Sequence, residues 1–357
     1  MALTKIQNTV LQNPYRRNLI INGAMQIWQR GTELSGITGT TSNFLPDRFS
    51  LQTGSLTGTL GYRQLGIPPA GTPFTHSPLQ VYCSATGTAQ WVAIFYSVEG
   101  YDFNYIKGKS CVLSFWAWTN NPGTYYVAFR GTGNNYSYVV PYTMPNSVWT
   151  YVVIPITFPS SGVTFGSTNN RGVNICWNLQ TPTSGFTTTT FNQWITGNYI
   201  TGPNQANILS VINNAFYMIG VQLEVGSQPT PFEMRTLNKE VTLCRRYYEK
   251  SYSLSVVPGT ITASGAILEY LTVFGAATIG TGGCNVKFEV EKCYNPTVTI
   301  YSAGTGALGK VHSFTNFMDY DIGTLTVSST GFYWAATVNT NNTISISCNW
   351  TAECEIL

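Results

Sequence analysis

The side chains best suited to chemistry in this chain are aromatic rings set in polar loops. Phe186 to Tyr199 (FTTTTFNQWITGNY) places Phe191, Trp194 and Tyr199 among Thr, Asn and Gln. Tyr101 to Tyr105 (YDFNY) ends on Tyr105, and Asn134 to Tyr138 (NNYSY) carries Tyr136. An aromatic ring is a flat apolar surface that stacks on the apolar face of a pyranose while neighbouring amides take the hydroxyls. Trp194, Phe191, Tyr199, Tyr105 and Tyr136 are therefore the candidate glycan-binding set. Aromatics inside strand-like runs (Trp91, Trp116, Trp118, Trp149 and Trp177) read instead as core or inter-subunit packing.

Groups that break bonds are poorly represented. A Ser-His-Asp apparatus needs a histidine beside a nucleophile motif. His76 lies in a proline-rich loop (TPFTHSP) and His312 in a strand-like run, with no such motif near either. Glycoside hydrolysis needs two carboxylates about 5 to 9.5 Å apart; Glu99 and Asp102 are close in sequence, as chance places some pair among 15 acids. Asp319-x-Asp321 falls short of the six to eight oxygens that calcium takes. The eight cysteines (Cys83, Cys111, Cys176, Cys244, Cys284, Cys293, Cys348, Cys354) form no C-x-x-C pair and read as buried thiols. With only two histidines, zinc is not expected. The expectation is no catalytic residue, no metal and no cofactor.

The elements that would position these rings follow from composition. The chain has 357 residues, suggesting about two domains, and only 9 % are charged against about 25 % in ordinary soluble proteins. Abundant aromatics argue against disorder. A net charge of +3, thinly spread, argues against nucleic acid. No stretch approaches the roughly 20 apolar residues that cross a bilayer. The polar opening, Met1 to Arg17, is no signal peptide, so folding in a reducing cytosol is expected.

From Asn18 onward, short runs alternate with period two between Gly, Pro and Asn turns, the strand signature. In Val112 to Thr119 (VLSFWAWT), Leu113, Phe115 and Ala117 share one face and Val112, Ser114, Trp116 and Trp118 the other. Regular short strands with such turns predict an all-β sandwich or jelly roll. Thr236 to Lys250 breaks the pattern, with Leu237, Val241, Cys244 and Tyr248 at helical spacing and Thr236 as N-cap. The expected organisation is an N-terminal docking arm (1–17), a jelly-roll β-sandwich (18–235), a short connecting helix (236–250) and a smaller C-terminal β-sandwich domain (251–357).

Segments in series carry a resemblance. Asn18 to Thr32 (NLIINGAMQIWQRGT) with Pro46-Asp47-Arg48-Phe49 resembles the opening strand of a jelly-roll domain common in tail-fibre and other appendage proteins of tailed bacteriophages. Met218 to Arg235 (MIGVQLEVGSQPTPFEMR) is similar to its closing strand and exit loop, and Glu240 to Ser251 (EVTLCRRYYEKS) to the helix that follows. Ile346 to Leu357 (ISCNWTAECEIL) resembles the terminal strand of those proteins. The resemblance implies a carbohydrate-binding-module-like jelly roll on a trimeric appendage that contacts the host surface. It transfers no catalytic residues.

The short region before the jelly roll departs from long fibres, which carry a sizeable anchoring domain there. The expectation is a compact tail fibre or spike subunit in the virion, forming a homotrimer and docking to a tail or capsid protein through Tyr15, Arg16 and Arg17. Bacterial surface glycan is the expected host partner; a capsid decoration or head-fibre protein, and a polysaccharide depolymerase, are the alternatives. Within the motif, Met25, Ile27 and Trp28 are expected to face a core, with Gln29-Arg30-Gly31 turning outward and Gly23 allowing a bend. Arg48 is expected to pair with Glu224 or Glu233, and Phe232 to plug the base of the sandwich.

Overall fold

The computed structural model describes residues 17–180, 182, 185–271, 279–339 and 344–356. Alternating side chains along each strand set the first region. Its strands are β1 (Glu33–Phe44), β2 (Phe49–Gln64), β3 (Leu79–Ala85), β4 (Trp91–Glu99), β5 (Ser110–Thr119), β6 (Gly123–Arg130), β7 (Tyr136–Met144), β8 (Thr150–Thr157), β9 (Arg171–Asn178), β10 (Trp194–Thr196) and β11 (Ala215–Val225). A one-turn helix, α1 (Gly100–Phe103), follows β4. The strand order is β10-β7-β6-β9-β4-β2-β3-β11-β5-β8, with β1 along β2.

The long strand β2 serves both layers of this jelly-roll sandwich. Its first part, Phe49 to Gly54, pairs with β4, and its second, Thr59 to Gln64, pairs with β3. Ser55, at a left-handed φ of 49°, bends the strand at the changeover. Between the layers lie Phe49, Ile94, Phe129 and Trp177 from one sheet and Leu113, Phe115, Phe216 and Met218 from the other. The expected faces of β5 are observed: Leu113, Phe115 and Ala117 are in this core, while Trp116 and Trp118 are half-buried on the outer side.

The N-terminal motif departs from expectation, because Asn18 to Thr32 forms turns rather than a strand. Two asparagines stand in for a paired strand. Asn18 Oδ1 accepts from the Ile20 and Leu223 N–H groups at 2.9 and 3.0 Å, and its Nδ2 donates to Val221 O at 3.1 Å. Asn22, at φ 57°, accepts from Gln26 and Ile27 N–H and donates to the Ile27 and Asp47 carbonyls. Asparagine tolerates this backbone and its amide mimics a peptide group. Gly23 is required for contact rather than for a bend: a Cβ there would lie 2.0 Å from Val221 O. Met25, Ile27 and Trp28 are buried as expected.

The second region comprises β12 (Tyr248–Lys250), β13 (Ile267–Leu271), β14 (Ile279–Lys287), β15 (Thr297–Ser302), β16 (Lys310–Ser313), β17 (Met318–Val327), β18 (Gly331–Asn339) and β19 (Ile344–Glu353). The last strand, β19, pairs with β12, β13, β15 and β16. Phe332, Trp334, Ile346 and Trp350 are in its separate core. The connecting helix, α2 (Leu237–Arg245), is shorter than the predicted 236–250. Tyr248 to Lys250 instead form β12 against Thr351 to Glu353, so sheet pairing overrides the local helical spacing. Thr236 holds the N-cap position but its side chain makes no capping bond. Seven of the cysteines are buried thiols and Cys284 is half-buried. No described helix is long and apolar enough to cross a membrane.

Scarce charges gather where the two regions meet. Arg48 pairs with Glu355, 307 residues away, rather than with Glu224 or Glu233. Its guanidinium lies 3.4 Å over the Tyr247 ring and donates to Ser97 O at 2.8 Å. Glu224 is taken locally by Thr230, and Glu233 by the distant Asn18 N–H. Gln29 and Arg30 turn inward: Gln29 is buried and Arg30 grips both oxygens of Glu353 at 2.9 Å. Arg246 and the Tyr247 hydroxyl both bind Glu99. Three of the segments that carry the resemblance share an apolar cluster here, and the fourth, Met218 to Arg235, adjoins them through Arg235, which binds Ile20 O and Glu240. Phe232 packs against the sandwich core, edge-on to Phe74 at 5.1 Å.

Candidate functional site

The outer face of the β4-β9-β6-β7 layer is not bare. Phe95, Ala128, Val139 and Cys176 form an apolar patch there, with Phe186, Phe191, Tyr199 and Ile200 of the loop between β9 and β11 packed on it. Backbone bonds from Ile200 N–H to Phe186 O (2.9 Å) and from Gly197 N–H to Asn135 O (2.8 Å) fix that loop. Ser137 adds to this, its Oγ donating to Gly197 O at 2.7 Å and accepting from Tyr199 N–H at 2.9 Å. The loop leaves one part of the face open. There a cleft of about 200 Å³ is lined by Gln52, Trp91, Phe95, Arg130, Asn174 and Phe186, among others.

Strand register builds the polar floor. Ser97, Asn174, Arg130 and Ser137 are successive cross-strand partners on β4, β9, β6 and β7. Asn174 Nδ2 donates to Ser97 Oγ at 3.2 Å, and Asn174 Oδ1 accepts from Arg130 Nη2 at 2.7 Å. Arg130 Nη1 donates to Asn198 Oδ1 at 2.9 Å, its Nε has no partner, and its guanidinium lies 5.0 Å over the Phe95 ring. Arg171, also lining the cleft, donates from Nη2 to Asn134 Oδ1 at 3.0 Å. Among the described residues neither arginine makes an ion pair with a carboxylate. Burial, reinforced by the Arg171 charge, pushes Arg130 down to about 10, and burial lowers Arg171. The wall is aromatic: Trp91 meets Phe186 edge-on at 5.1 Å. Trp91 lies across Gly54, its register partner, where a Cβ would come within 2.6 Å of the indole.

None of the five aromatics expected to bind sugar lines this cleft. Trp194 closes one end of the sandwich core against Tyr138, Phe158 and Phe165, and its Nε1 donates to Thr157 O at 3.0 Å. Phe191 packs on Tyr126 and Tyr199 over Gly197, so both hold the loop. Tyr105 lies beneath the Lys109 ammonium, 3.8 Å from its ring centroid, and Tyr136 is half-buried opposite Thr196. Tyr15 and Arg16 lie outside the described residues; Arg17 is exposed and reaches Pro231 O and Glu224. The cleft arginines and asparagines escaped the sequence reading. The available signal was Arg130 ending an apolar run, YYVAFR, with no acid nearby in sequence.

Groups considered for catalysis are engaged elsewhere. Glu99 is bound by Arg246 and Tyr247. Asp319 accepts from His312 Nδ1 and Ser302 Oγ, both at 2.7 Å, so that serine is hydrogen-bonded to the acid and not to the imidazole. Asp321 pairs with Lys310. No cluster of three His, Cys, Asp or Glu suited to a metal occurs among the described residues.

No family model and no curated protein matches the chain. Solved structures similar to it include a CBM4 module, 12% identical over 57% of this chain and 98% of that one, at a TM-score of 0.28. The family 11 carbohydrate-binding module of the cellulosomal cellulase Lic26A-Cel5E of Clostridium thermocellum is 12% identical over 54% of this chain and 99% of that one (TM-score 0.30). The N-terminal cellulose-binding domain of Cellulomonas fimi β-1,4-glucanase C is 13% identical over 57% and 95% respectively (TM-score 0.28). At such scores the fold description stands on this chain's own strand order, and the ligands of those modules remain theirs.

Proposed function

We propose that this chain is a non-catalytic, glycan-binding structural subunit of a tailed-phage appendage, with its sugar site in the cleft on the outer face of β4, β9 and β6. The observation that carries the glycan reading is the pairing of an aromatic wall, Trp91 and Phe186, with amide groups of Gln52, Asn174 and Asn198 in one concavity. Small-ligand sites combine apolar walls with a few placed polar groups in this way. The cleft is smaller than the roughly 300–1,000 Å³ of a drug-sized pocket, which favours a terminal sugar over a long internal stretch.

The appendage assignment rests on the resemblance of the four segments quoted above. Homotrimerisation and attachment through the N-terminal arm belong to it. Trp116 and Tyr151, tilted by 40° with ring centroids 5.1 Å apart on the outer side of β5 and β8, supply an aromatic surface for subunit contact. Trp91→Ala tests the glycan site: host adsorption and glycan-array binding should both fall, and unchanged binding would remove the cleft from consideration. Deleting residues 1–17 tests docking: the protein should still fold and oligomerise but no longer enter particles. A monomeric native mass would count against the appendage reading.

A further inference from the structure

We infer that the ligand of this cleft is an acidic sugar, whose anionic substituent is held by Arg130 and Arg171; this rests on the glycan reading above and narrows it. Among the described residues the other fully buried arginine, and three half-buried ones, come with carboxylates, while half-buried Arg63 donates to the Gln80 amide. Arg48 has Glu355, Arg30 has Glu353, Arg235 has Glu240 and Arg246 has Glu99. Arg130 is only 6% exposed, yet its terminal nitrogens bind two neutral amides and its Nε binds nothing. Arg171 sits on the same cleft, and it too binds a neutral amide.

Buried charge is normally paired, because removing it from water is costly. Here Asn134, Asn174 and Asn198 fix the positions of two guanidinium groups without cancelling their charge. Burial, with a smaller contribution from the Arg171 charge, leaves Arg130 easier to deprotonate than an ordinary arginine. An entering anion brings the missing counter-charge, and the half-buried Arg171 guanidinium is the one it meets first. Guanidinium suits carboxylate and phosphate oxygens especially well. A neutral sugar brings hydroxyls and leaves the charge uncompensated, whereas Trp91 and Phe186 remain free to stack on the ring that carries the acid.

The test is a glycan array with neutral, carboxylated and phosphorylated or sulfated arms, probed with the full chain and with the Arg171→Gln and Arg130→Gln variants. Hits should concentrate in the acidic arms, which between them separate a carboxylate from an ester anion. Methyl esterification of a carboxylated hit should weaken it at least tenfold, as should Arg171→Gln. Arg171 is only half-buried, so this variant covers the case in which Arg130→Gln fails to fold; thermal melts report which occurs. Hits confined to the neutral arm, or acidic hits indifferent to both substitutions, would overturn the acidic-sugar inference and leave the glycan reading standing. No hit in any arm would overturn both.

Discussion

Arg130 and Asn174 are register partners on β6 and β9, and the guanidinium donates to the amide oxygen at 2.7 Å on the outer face of the sandwich. Asn174 in turn donates to Ser97 Oγ, so the arginine is held from below by a chain of neutral groups. That arrangement orients a cation and keeps its charge available. Asn174→Asp would place a carboxylate beside Arg130 with little change in shape. The charged hydrogen bond contributes about 1.5–3 kcal/mol, offset by burial of the carboxylate and loss of the amide's donation to Tyr96 O, so the variant should melt near the unaltered protein and lose binding of acidic glycans. Retained binding of acidic glycans by a folded Asn174→Asp variant would contradict this account of the site.

Gly54 gives Trp91 its place. Adding a methyl group 2.6 Å from the indole forces the ring off the strand, at a cost of about 1–3 kcal/mol for overpacking. Gly54→Ala should weaken glycan binding nearly as much as Trp91→Ala while leaving the circular dichroism of the sandwich intact. Titration calorimetry with the best array hit reads the first effect.

Trp194 and Trp91 should separate cleanly. Trp194 packs on three aromatic rings at the end of the core, and truncating a packed tryptophan costs about 3–5 kcal/mol when it is fully buried. Because Trp194 is half-buried, Trp194→Ala should lower stability toward the bottom of that range. At a temperature where the variant is folded, glycan affinity should match the unaltered protein, as equilibrium binding would show.

The joint depends on Arg48 and Glu355, whose side chains are 1% and 3% exposed. Removing one partner of a buried pair costs about 3–5 kcal/mol when it strands the other charge; here Glu355 keeps the longer Arg30 contact at 3.3 Å, which places the loss toward the lower end. Urea unfolding of Arg48→Ala should show that loss, and adding Glu355→Gln should recover part of it because the buried carboxylate, left with Arg30 alone, is then removed. Equal stability of the single and double variants would show that the pair's charge is not what matters.

Acid should loosen the same joint. Burial alone would raise the Glu99 carboxyl, but hydrogen bonds from Arg246 and Tyr247 and the neighbouring positive charges outweigh it and leave Glu99 below its ordinary 4.5. A carboxylate with a depressed folded pKa contributes stability that is complete above the unfolded value and lost as pH falls through the folded one. Stability measured from pH 6 downward should therefore decline below about pH 4.5, and Glu99→Gln should make that slope shallower.

Local pattern determined much of this molecule. Period-two alternation marked β5, β6, β8 and β9 and assigned the faces of β5, because side-chain direction along a strand depends on nothing beyond the backbone pleat. Low charge, buried thiols and a helix between two β regions were likewise legible in residue types alone. Tertiary structure decided what depends on partners distant in the chain. Tyr248 to Lys250 left the helix because the final strand offered them a sheet edge. Arg48 found its acid 307 residues away, and Trp194 proved to pack a core because the loop carrying it folds back over the end of the sandwich. The site residues were hidden for the same reason. Arg130, Asn174 and Asn198 are separated by tens of residues, and only antiparallel register and loop closure place an uncompensated cation beside the Trp91 wall.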